Sequence, residues 1–292
     1  MRMRMTAVLF VVAVLAAQGS VLEAQDKAPV SAPVSEPGLE GRTDVLFFEG
    51  FETPDWKEHF TGISEKAELA EKPAFQGRRA LAVRSTKGEH YSIGASLYFR
   101  EGFEKLYVRY YLYFPEEFVW GEGRYAHLKL FSQSGRLSGG RWAGYTSAGT
   151  KPTGKDKFSC TVAAKPKTGE LEFYFYHPDQ RGGYGDHKAL TVTLERGRWL
   201  CLESMVKANA PGGKDGEIAC WLDGKPVGEV KGIRFRDIDD LRIRSVGFSN
   251  YWGGAGDENT APVDQVYYMD NIAVATNPIG PTQQPAEGSE TK

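Results

Sequence analysis

After residue 24 the 292-residue chain has no apolar run approaching the ~18 residues that a membrane-spanning helix needs. Charge of one sign is also missing: 36 Lys and Arg stand against 38 Asp and Glu, for a net charge of −2, with no block of like charges. That balance excludes the basic footprint of a nucleic-acid binder. Cysteine is scarce, with only Cys160, Cys201 and Cys220, and no Cys-x-x-Cys or Cys/His spacing suggests a zinc site. Each thiol lies in an apolar, strand-like run, where a free Cys serves as a small buried hydrophobe. An oxidising compartment would allow one disulfide, leaving one thiol over. Segments with helical periodicity are nearly absent.

What is present begins with Arg2 and Arg4, an apolar stretch over 6–17, and small residues near Ala17 and Ala24. This pattern predicts a secretory signal peptide over 1–24, and hence a secreted or periplasmic protein with no membrane span after cleavage. Residues 25–42, rich in Ala, Pro, Ser and Glu, read as a flexible leader, and 277–292 as a disordered tail. Residues 43–276 are left as one domain, and a monomer is expected.

Within that domain, aromatic and β-branched residues alternate with polar ones at a period of two. Thirteen short strands are predicted, among them 44–48, 105–114, 126–132, 157–164, 170–177, 189–194, 242–251 and 266–275. Gly and Pro punctuate them, and Asp223-Gly224 marks a hairpin. Many strands and few helices predict an all-β sandwich of two antiparallel sheets.

Successive strand residues face opposite sides, so the strands sort into faces. Leu128 and Leu130 fall on one side, with His127, Lys129 and Phe131 on the other. Leu171, Phe173 and Phe175 separate likewise from Glu172, Tyr174 and Tyr176. Arg109, Tyr111 and Tyr113 share a phase, as do Ser159 and Thr161. Gathered on one sheet, these polar sets make a face rich in Lys, Arg, His and Tyr. Such a face suits an anionic polysaccharide, since aromatic rings cover pyranose faces while cations meet carboxylates.

Several of these residues resemble polysaccharide lyase family 14, the alginate-lyase-like members of the concanavalin A-like jelly-roll superfamily. The resemblance runs from about residue 106 to 274. It rests on a strand bearing Lys129, on Ser159, on Tyr174-x-Tyr176, on Gly197-Arg198-Trp199 and on Asp215-Gly216 before Trp221-Leu222-Asp223-Gly224. Phe248-Ser249-Asn250-Tyr251-Trp252-Gly253-Gly254 and Asp270-Asn271-Ile272 complete it. It implies a concanavalin A-like jelly-roll β-sandwich that cleaves a uronic-acid-containing polysaccharide by β-elimination. Lys129, Tyr174 and Tyr176 are then the catalytic candidates. Arg109, Tyr111, His127, Ser159, Glu172 and Asn250 are the candidates for binding substrate. Where the family carries Arg two residues after the Ser, this chain has Thr161. The chemistry requires no cofactor. Glu49, Glu52 and Asp270 are candidate ligands for a structural Ca2+, as in many relatives whose first and last strands pair.

The alternative is a lectin-like domain of the same fold that binds carbohydrate without cleaving it. A retaining glycosidase would need two nearby carboxylates on one strand, and no Glu-x-Asp-x-x-Glu run occurs.

Overall fold

The computed structural model describes residues 27–139 and 149–282. The expected signal peptide, residues 283–292, and Gly140, Trp142 and Gly144 lie outside the described residues. The strands are β1 (Val45–Glu49), β2 (Gly62–Ile63), β3 (Glu68–Ala70), β4 (Ala80–Ser85), β5 (Ala95–Phe103), β6 (Lys105–Tyr113), β7 (His127–Arg136) and β8 (Phe158–Ala164). They continue as β9 (Glu170–Tyr176), β10 (Asp186–Thr193), β11 (Trp199–Lys207), β12 (Gly216–Leu222), β13 (Lys225–Ile233), β14 (Arg242–Phe248), β15 (Tyr251–Gly253) and β16 (Gln265–Ala275).

They form two antiparallel sheets, a jelly-roll sandwich as the period-two pattern predicts. The back sheet runs β13-β12-β11-β6-β16-β4-β3, with β1 added on β16. The front sheet runs β10-β9-β8-β7-β14-β5-β2, with β15 added on β7. Between β12 and β13, Asp223 (φ 51°) and Gly224 (φ 74°) both occupy left-handed backbone, which is why an Asp-Gly pair closes this hairpin.

Alternation fills the space between the sheets. Leu106, Val108, Tyr110 and Leu112 of β6 meet Leu128, Leu130 and Phe131 of β7 and Val162, Leu171 and Phe173 beyond them, all essentially without solvent exposure. Each large side chain buried this way contributes ~1.5–3 kcal/mol. The three thiols are free and buried. Cys160 and Cys220 belong to this core, as the reading of cysteine as a buried hydrophobe expects.

Phe131 corrects the sequence reading. It lies in the core and packs edge-on against Tyr110 at 5.2 Å, instead of sharing the outward face of Lys129. The cause is a register shift in the β7–β8 pairing between Lys129 and Phe131. An extra residue at a β-bulge reverses the phase of the residues after it.

The described part of residues 25–42 also differs from expectation, because it packs on the back sheet. Ala32 and Leu39 are buried with Phe48 and Ala273. Glu36 is buried against Arg109. The first residues of the expected tail do the same: Glu203 accepts the backbone N–H groups of Ile279 and Gly280 at 2.9 and 2.8 Å. The apolar patch and the buried charges of the back sheet hold both segments, although their composition alone predicts a free chain.

Candidate active site

The outer face of the front sheet is built from rows of residues in register. Tyr251, Lys129, Ala163 and Glu172 are paired across β15, β7, β8 and β9. Ser132, Thr161, Tyr174 and His187 are paired across β7, β8, β9 and β10. Ser134, Ser159 and Tyr176 form a third row. The bulge in β7 puts both Lys129 and Ser132 on this face.

Lys129 stands between two aromatic rings, its Nζ 4.8 Å from the centre of Tyr251 and 5.4 Å from that of Tyr174. Burial pushes its ammonium down from the ordinary value, while the Glu172 carboxylate pulls it up. Gly253 makes room for it, since a Cβ there would come within 2.8 Å of Lys129 Cε. The two phenols share a hydrogen bond of 2.5 Å between Tyr174 Oη and Tyr176 Oη. Burial, and then this bond, push the Tyr174 phenol well above its ordinary value, so it keeps its proton. Tyr176 also accepts a long hydrogen bond from the Gly149 N–H at 3.4 Å.

Beside them, Glu172 is buried between two imidazoles. His187 Nδ1 donates to Glu172 Oε1 at 3.1 Å. His127 Nδ1 lies 2.6 Å from the same oxygen, but out of line for a hydrogen bond. Burial alone would raise the Glu172 carboxyl, yet the two imidazoles outweigh it and hold the group at about 2. The arrangement is a fixed anion flanked by two proton carriers, next to a partly desolvated cation and a bridged phenol pair.

Lys129, Tyr174, Tyr176, Ser159, His127 and Glu172 are thus brought together. Arg109 and Tyr111 are not: both lie on β6 in the back sheet, 0% and 3% exposed. Their shared phase is as expected, but it belongs to the other outer face. There Arg109 pairs with Glu36 and donates to Asn271 O, while Tyr111 Oη bonds Thr282. Asn250 is buried as well. Its amide donates to Ile93 O at 3.1 Å and its oxygen accepts the Tyr267 hydroxyl, so it fixes the turn into β15 and does not face the site.

The three proposed Ca2+ ligands are each engaged by protein groups. Glu49 accepts the Phe51 N–H and meets His59. Glu52 accepts the Arg78 and Arg79 N–H groups. Asp270 accepts those of Phe75, Gln76 and Asn271. Among the described residues, no group of three His, Cys, Asp or Glu side chains is placed to hold a metal.

Two site residues escape the sequence reading, His187 and Tyr251. The strand expected from 189 begins at Asp186, and those three residues carry His187 into register with Tyr174. Tyr251 falls after Asn250, whose φ of 42° ends β14 and starts β15 in a new phase.

The site thus stands on an all-β jelly roll whose front face carries a cation, imidazoles and tyrosines. Residues 77–272 match the family Polysaccharide lyase 14, and the chain belongs to it. No curated protein matches the chain. A marine alginate lyase from Aplysia kurodai is similar in structure, with a TM-score of 0.62 and 21% identity over 76% of this chain and 93% of its own. An alginate lyase from a Chlorella virus gives 0.58, 18%, 74% and 91%. An endo-β-1,4-glucuronan lyase from the fungus Trichoderma reesei gives 0.55, 14%, 80% and 96%. At these identities the likeness establishes the fold.

Proposed function

We propose that the protein is a polysaccharide lyase that cleaves a uronic-acid-containing polymer by β-elimination on the outer face of the front sheet. The observation that carries this reading is the Lys129 ammonium, flanked by Tyr174 and Tyr251, beside the Tyr174–Tyr176 phenol pair. β-Elimination needs a cation on the C6 carboxylate, a base for the C5 proton and an acid for the departing O4. Lys129 supplies the cation. The phenol pair, with Tyr174 held protonated, supplies the acid.

A base standing on the same face as this phenol acid would reach the sugar from the same side. That suits residues whose C5–H and C4–O4 bonds are cis, as in D-mannuronate and D-glucuronate. D-galacturonate and L-guluronate, in which they are trans, fit less well.

Absorbance near 235 nm reports the unsaturated product. Purified protein incubated with polymannuronate, glucuronan, polyguluronate and pectate is expected to act on the cis polymers. Lys129→Ala and Tyr176→Phe should each lower kcat/KM by at least ~100-fold. Binding of a polymer with no product from any of them would replace this reading with a non-catalytic carbohydrate-binding domain.

A further inference from the structure

The Lys129–tyrosine cluster contains a cation and a proton donor, but the phenol most deeply set in it is a poor base, because burial holds its proton on. A proton acceptor beside it on the same face would complete the set. His187 meets that requirement by position. It lies on β10, the edge strand of the front sheet, directly opposite Tyr174 in register, and its ring stacks on the Tyr174 ring at 4.4 Å with 26° between planes. Its side chain is 49% exposed, whereas Glu172 beneath it is 4% exposed. Because Nδ1 is committed to Glu172 Oε1, the proton of the neutral ring sits on Nδ1 and the lone pair on Nε2. A buried carboxylate that fixes an imidazole in one tautomer, and stabilises the cation formed when it takes a proton, is the arrangement by which hydrolytic triads orient their base.

We propose that His187 is the catalytic base of the elimination, with Glu172 as its positioning residue; this rests on the lyase reading above. Nε2 takes the C5 proton and becomes imidazolium against the Glu172 carboxylate. The C5–H electron pair forms the C4=C5 double bond, the C4–O4 bond breaks, and O4 takes a proton from the Tyr174–Tyr176 pair. No oxidant, reductant or metal enters the balance. Product release and proton exchange with water restore both groups.

Among the described residues, other ionisable groups around the ring are few. Glu172 and Tyr174 face it from β9, with Tyr176 behind Tyr174. From β7, His127 stands 5.7 Å away between ring centres, and Lys129 lies across Tyr174. On its own strand it is flanked by Asp186, paired with His177, and by exposed Lys188. β13 meets β10 at Leu190 and Thr191, away from His187.

The test uses the full chain on a polymer that the wild type cleaves, comparing wild type, His187→Ala, His187→Gln and Glu172→Gln, with kcat and KM measured from pH 5 to 9. Both His187 variants should lose about 10²- to 10⁴-fold in kcat with KM changed less than about threefold. They should also lose the acid-side limb of the kcat/KM profile. Added imidazole should restore part of the His187→Ala rate, a signature that a merely structural role would not produce. Glu172→Gln should lower kcat and move that limb, leaving it present. Wild-type activity that survives in both His187 variants with an unchanged profile overturns this proposal and leaves the lyase reading standing. A wild type inactive on every uronate polymer overturns both.

Discussion

Glu36→Ala is expected to be among the most destabilising single substitutions in this protein, although it falls in a stretch whose composition resembles a linker. Glu36 is 1% exposed and Arg109, its partner on β6, is 0% exposed. One carboxylate oxygen meets Arg109 Nη2 at 2.5 Å and also accepts the Thr282 hydroxyl, while the other accepts the Asn271 amide at 2.9 Å. Arg109 Nε already has no acceptor among the described residues. Removing the carboxylate therefore leaves a buried guanidinium over the Tyr111 ring, with the Asn271 carbonyl as its one hydrogen-bond acceptor among the described residues. Breaking one side of a buried pair in this way costs about 3–5 kcal/mol. For a domain of this size, that lowers Tm by roughly 6–20 °C. Urea denaturation of the full chain, followed by tryptophan fluorescence, measures the loss directly. It should persist in high salt, since a buried pair is poorly screened. The double variant Glu36→Leu with Arg109→Met should recover most of it, because the uncompensated charge is gone. A loss below about 1 kcal/mol for Glu36→Ala would refute the view that this segment is an integral part of the fold.

Three further outcomes are expected from the site and the core. The Glu172 carboxyl is held at about 2, below its unfolded value of about 4.3, so its contribution to stability is complete above that value and lost as pH falls toward 2. Thermal melts of Glu172→Gln should thus be flatter than wild type across that window, and equal steepness would argue against the imidazole–carboxylate contacts. Gly253→Ala should push the flexible end of Lys129 aside without disturbing backbone, lowering kcat/KM on the order of 10- to 100-fold while Tm stays within about 2 °C, as kinetics and melts will show. The three buried thiols should be silent to an aromatic disulfide reagent in the native protein and all titrate in denaturant, whereas a single reactive thiol after unfolding would reveal a disulfide.

The sheets were legible because alternation is a direct imprint of a half-buried strand: β6, β9 and β12 begin where the pattern does. Lys129, Tyr174 and Tyr176 could be grouped for the same reason. What alternation cannot convey is which of two outer faces a strand contributes to. Arg109 and Tyr111 are in phase with one another, yet they sit behind the molecule because β6 pairs with β11 and β16, a long-range choice. Nor does a period of two survive a bulge, which is how Phe131 reaches the core. His187 lies in a polar, glycine-bordered stretch with no apolar partner to mark the start of its strand. Only pairing with β9 lines it up with Tyr174. Glu36 gave no local signal, because its burial depends on a cation 73 residues away.

Residues 32–39 and 276–282 both end up against the back sheet, opposite the face that bears Lys129 and Tyr174. Both ends of the described chain therefore leave the domain from behind. A polymer bound as proposed would lie across the front face, on the side of the domain away from Ala32 and Gly280.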